Sequence, residues 1–73
     1  MKKNIYAATP MVEVIAPDGT KSLWAAAIAH VDAVELVKNE IPTGHTATLS
    51  NRRLTLDHRL EGLRWGEARR VEP

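Results

Sequence analysis

Two short runs rich in apolar and β-branched side chains, Met11 to Ala16 and Lys21 to Ile28, are separated by Pro17-Asp18-Gly19-Thr20. Proline presets φ for the first turn position, aspartate suits the next, and glycine takes the left-handed conformation that closes a hairpin. The two runs are therefore expected to pair as antiparallel strands. This pairing constrains the rest of the chain, because the period of two leaves both faces of the return strand apolar. Leu23, Ala25 and Ala27 fall on one face, and Trp24, Ala26 and Ile28 on the other. The competing reading is one long helix, capped by Ser22 and running through the alanine-rich stretch to Glu40. It would leave Met11 to Ala16 as a strand without a neighbouring partner, which the turn signal argues against.

Asp32 followed by Glu35 has capping-box spacing and predicts a helix starting there, with Ala33, Val34, Val37 and Ile41 on its inner face and Pro42 and Gly44 ending it. Thr46 to Leu49 alternates polar and apolar and reads as a third strand. Arg53 to Leu63 is ambiguous. Leu54, Leu56, His58 and Leu60 alternate like a strand, whereas Thr55 as a cap and Leu56, Leu60 and Leu63 on one face describe a short helix. The helix is preferred, because Gly66-Glu67 then introduces a last strand, Ala68 to Val71. The expected fold class is α+β, β-β-α-β-(short α)-β, with a mostly antiparallel sheet packed on one main helix. Residues 11–73 form the single domain, and residues 1–10 form a tail that would dock through Tyr6.

Seventy-three residues leave room for one core, and the absence of cysteine removes disulfides, thiol catalysis and cysteine zinc sites. That absence fits a reducing compartment, so a cytoplasmic location is expected. Hydrophobic residues at 44% and charged residues at 26% match a folded domain. A net charge of +1 implies no polyanionic partner by itself. No apolar stretch approaches the ~20 residues of a membrane span, and none follows Lys2-Lys3 as a secretion signal requires, so no membrane partner is expected.

His30, His45 and His58 have no metal-ligand spacing, and no metal is expected. Ser50, Asp57 and His58 are the residue types of a catalytic triad, but adjacent residues rarely orient one another and no nucleophile elbow surrounds Ser50. The four glycines are isolated and offer no phosphate cradle. Neither catalytic nor cofactor-binding residues are expected.

Binding is the remaining class. One helix covers one face of a small sheet, which leaves the other apolar face to a partner, most simply a second copy in a two-fold dimer. The leading reading is a non-enzymatic, self-associating protein-interaction domain acting through the exposed face or edge of its sheet, with Met11, Ile15, Leu23, Trp24, Ile28 and Trp65 as interface residues. The alternative is nucleic-acid binding by Arg52, Arg53, Arg64, Arg69 and Arg70, with Trp65 as a stacking surface. Against that alternative, six arginines between residues 50 and 73 are interleaved with four acids.

Overall fold

A computed structural model of the protein describes residues 9–53 and 60–73. Its elements are β1 (Met11–Ile15), β2 (Lys21–Ala26), α1 (His30–Lys38), β3 (Thr46–Ser50) and β4 (Ala68–Glu72). The four strands form one sheet in the order β3-β1-β2-β4, with every neighbouring pair antiparallel. Among the described residues the fold is a small α+β sheet with one helix, as the sequence implies.

The β1–β2 hairpin occupies the centre of the sheet. Ala16 donates its N–H to the Thr20 carbonyl at 2.8 Å, and Gly19 donates to the Ala16 carbonyl at 2.9 Å. These bonds close a three-residue loop, Pro17-Asp18-Gly19, of the kind that ends in a left-handed residue, and Gly19 has φ +91°. Asp18 Oδ1 accepts the Thr20 N–H at 2.9 Å and braces the loop from within. Because Lys21–Ala26 pairs with both β1 and β4, the long-helix reading of this alanine-rich stretch is excluded.

β3 and β2 are both antiparallel to β1, so they run parallel to each other with β1 between them. The connection through α1 carries the chain from one side of β1 to the other and places the helix on one face. There Val12, Val14, Ala26, Ala33, Val37 and Ala47 form a buried cluster, with Trp24, Ile28, Val34, Leu36, Ile41 and Ala68 packed around it. The helix begins three residues earlier than the Asp32 capping box implies. Ala29 is the N-cap, extended at φ −62° and ψ 147°, and makes no side-chain capping bond. Asp32 lies inside the first turn and donates its N–H to the Ala29 carbonyl at 2.9 Å, so its carboxylate complements the helix dipole.

The second face is not open. Met11, Leu23 and Ala25 lie on it and are 1%, 4% and 0% exposed, packed with Leu60 and Val71. Leu60 belongs to the long connection between the edge strands, and Val71 to β4. The register of β4 on β2 slips by one between Trp24↔Arg70 and Leu23↔Glu72, which makes Val71 the extra residue. The premise that one face awaits a partner therefore fails: the helix covers one side, and the return to β4 supplies apolar cover on the other. The expected helix or strand at Arg53 to Leu63 falls largely on residues 54–59, outside the described residues. Its end, Leu60 to Leu63, is a turn closed by the Leu63 N–H on the Leu60 carbonyl at 3.0 Å. The tail at 1–8, with Tyr6, also lies outside them.

Two outcomes follow. Leu23→Ala should cost about 2–5 kcal/mol in urea unfolding, as a core leucine does, whereas an exposed interface leucine would be nearly neutral in the monomer. The Asp18 carboxyl is held below its ordinary value of 3.8, chiefly by the Thr20 backbone N–H. A depressed folded value gives stability that is complete above the ordinary value and lost as pH falls through the lower one. Asp18→Asn, which keeps an acceptor but cannot titrate, should flatten the decline of melting temperature below about pH 4.

Candidate functional site

At the end of the sheet where β2 runs into α1, the backbone builds a cleft. Ala26 donates its N–H to the Pro10 carbonyl at 3.1 Å, carrying the hairpin ladder one residue past β1. On the other side, the Ala27 N–H bonds the Glu67 carbonyl at 2.8 Å and the Gly66 N–H bonds the Ala27 carbonyl at 2.6 Å. These bonds extend the β2–β4 pairing beyond the strands. They fasten the turn Arg64-Trp65-Gly66-Glu67 to the sheet.

That turn is closed by the Glu67 N–H on the Arg64 carbonyl at 3.0 Å, and Glu67 Oε1 accepts the Arg64 N–H at 2.9 Å. Gly66 has φ +90° and Trp65 a negative φ, as the central residues of a type II turn require. Glycine at this position holds the tryptophan at the tip of the turn. Trp65 is 77% exposed.

The cleft has a volume of about 380 Å³ and is lined by Thr9, Pro10, Ala26 to His30, Leu60, Leu63 and Trp65. Its size falls within the range of ordinary ligand sites. Its lining is apolar apart from the Thr9 hydroxyl, the His30 imidazole, the Trp65 indole N–H and backbone groups. No carboxylate stands among these residues to pair with His30 as acid or base.

Of the six apolar residues read as an interface, the structure brings Ile28 and Trp65 together at this cleft. Met11 and Leu23 are buried and present no surface to a partner. Trp24 is half-buried beside the helix-side core, and its Nε1–H donates to Ser22 Oγ at 3.2 Å. Ile15 is half-buried at the hairpin end of the sheet, opposite Lys21 and Thr46.

The five arginines do not form one surface. Arg69 is opposite Ala25 and Arg70 opposite Trp24, so they point to opposite faces of the sheet. Arg52 makes a bidentate pair with Glu72, both bonds at 2.7 Å, and tethers the chain just past one edge strand to the end of the other. The hydrogen bonds to Glu72, then the charges of Glu72 and Glu13, hold its guanidinium above the ordinary value. Arg53 and Arg64 are exposed on separate stretches of the connection between β3 and β4.

Among the described residues, no group of three or more His, Asp or Glu is arranged to hold a metal ion. Ser50 Oγ accepts the Arg52 N–H at 3.1 Å, a local turn bond, while Asp57 and His58 lie outside the described residues. No described helix is long and apolar enough to cross a membrane.

No family model matches the chain, and comparison with curated proteins and with solved structures finds no relative.

With its arginines divided in this way, the protein should show no steep, salt-dependent binding to polyanions. Fluorescence anisotropy of a mixed-sequence oligonucleotide at low salt should stay flat up to about 10 µM protein, the middle of the range for non-specific binders. A rise that falls tenfold or more on doubling the salt would restore the basic surface as a candidate.

Proposed function

We propose that this domain is a non-enzymatic protein-interaction module that receives apolar side chains of a partner protein in the Trp65 cleft. The observation that carries this reading is Trp65 itself, 77% exposed at the tip of a turn anchored to Ala27, the residue just past β2, by two backbone hydrogen bonds. Tryptophan supplies large contact area with few rotatable bonds, and a rigid turn has already lost the entropy that binding would otherwise cost. Beside it, Ile28, Leu60 and Leu63 form a concave apolar surface, and Val31, 88% exposed, follows His30 in the first turn of α1. Tryptophan anchors beside apolar recesses are the places where binding energy concentrates in protein interfaces.

Capture from the native cell extract, run with matched baits, tests the reading. Wild-type protein and an Arg70→Ala control should retain the same specific partner, and Trp65→Ala should lose it about 30-fold or more in affinity, as at a hot spot. Circular dichroism should show Trp65→Ala folded, since the side chain contributes little to the core. Equal recovery on all three baits would sink the cleft as the binding site.

A further inference from the structure

The two edges of the sheet are built differently. β4 carries Arg69, Arg70 and Glu72, and its pairing with β2 is interrupted at Val71. Charges and bulges are the devices by which natural sheets blunt an edge against further pairing. Pairing β4 with its own copy about its middle residue would set Arg70 against Arg70. β3 has none of these devices. Thr46-Ala47-Thr48-Leu49-Ser50 contains no charge and no proline, pairs with β1 in unbroken register, and borders no strand on its other side among the described residues. Thr46, Thr48 and Leu49 are exposed, Leu49 at 51%.

We propose that β3 pairs antiparallel with β3 of a second copy about a two-fold axis at Thr48, joining two sheets into one. The choice of occupant follows from the strand, whose chemistry reads the same in both directions: hydroxyl, apolar, hydroxyl, apolar, hydroxyl. Antiparallel self-pairing about Thr48 sets Thr46 opposite Ser50, Thr48 opposite Thr48, and Ala47 opposite Leu49 twice. Hydroxyls face hydroxyls on the Met11 side, and on the helix side the exposed Leu49 lies opposite the partner's small Ala47, itself buried beneath its own helix, so the pairing meets no bulky side chain there.

The register uses every residue of the strand, and a shift of one would turn one copy's inward residues toward the other's outward ones. Beyond the strand, His45 meets Asn51 and Gly44 meets Arg52, so no like charges are opposed. A net charge of +1 adds little repulsion between copies. Both helices then lie on one face of the joined sheet. The surface is separate from the Trp65 cleft, and the two proposals stand or fall independently. Five residues a side make a small interface, so the dimer forms at high protein concentration.

The sequence contains no cysteine, which makes the test specific. Antiparallel partners have Cα atoms about 4.5–5.5 Å apart, within the span of a disulfide, so Thr48→Cys places two thiols within bonding reach across the axis. Under mild oxidation Thr48→Cys should form covalent dimer about tenfold or more faster than Thr20→Cys, a control on the exposed hairpin turn. In sedimentation across a concentration series, wild type should associate reversibly, and Thr48→Lys should remain monomeric with an unchanged circular dichroism spectrum. Equal cross-linking of the two cysteine variants, association of Thr48→Lys like wild type, or a wild-type monomer at every concentration would each overturn the proposal.

Discussion

The burial of both faces of the β1–β2 hairpin is the constraint on which the rest of the structure depends. A chain of this length without disulfides has little apolar area to use, and a two-stranded hairpin alone is marginal in water. Each remaining element attaches to the pair. β3 extends β1, β4 extends β2, α1 seals the side of Val12 and Ala26, and Leu60 and Val71 seal the side of Met11 and Ala25. Adjacent residues of β2 thus belong to two different clusters, Ala25 to one and Ala26 to the other, each with no exposed surface. Small side chains at this point let covering segments approach the sheet from both sides, which is why the alanine run is a strand despite its helix propensity.

What was legible in the sequence was local. Pro17-Asp18-Gly19 predicts the hairpin because its conformational preferences act within four residues. The alternation of Thr46 to Leu49 predicts β3, and the spacing of Ala33 and Val37 predicts the inner face of α1, both of which the structure contains. The start of α1 is not marked by a side-chain cap, since Ala29 ends the preceding extended segment without one, three residues before Asp32. The closure of the second face by Leu60 and Val71 is not encoded locally. It depends on a contact between Leu60 and a strand more than thirty residues earlier, and no periodicity encodes the side on which a long connection crosses a sheet.

The candidate site was half legible for a related reason. Trp65 stands out by residue type, and its position before a glycine is the signal for the turn that displays it. Leu60-Glu61-Gly62-Leu63 and Arg64-Trp65-Gly66-Glu67 are successive four-residue turns, each with glycine third. That repetition is visible in the sequence. The anchoring of the second turn on Ala27 is not, because it follows from β4 lying beside β2. The arginine cluster illustrates the converse. Close spacing of like charges in sequence carries no promise of a common surface, since a strand sends Arg69 and Arg70 to opposite faces and Glu72 engages Arg52.

The distribution of large apolar side chains gives the functional readings a common basis. The chain has only two tryptophans, one tyrosine and no phenylalanine, and a small core has every thermodynamic reason to enclose them. Trp24 is half-buried against the helix-side core, with its indole N–H bonded to Ser22. Trp65 is exposed at the tip of a turn that backbone bonds fasten to Ala27. The other large apolar residues with high exposure among those described are Val31 and Leu49. Val31 follows His30 of the cleft, and Leu49 lies on the edge without charged protection. The apolar surface that the fold leaves uncovered is thus divided between the cleft end of the sheet and its β3 edge. The two regions differ in what they would accept: a concave recess suits side chains of a different protein, whereas a strand whose chemistry is symmetric about its centre suits itself.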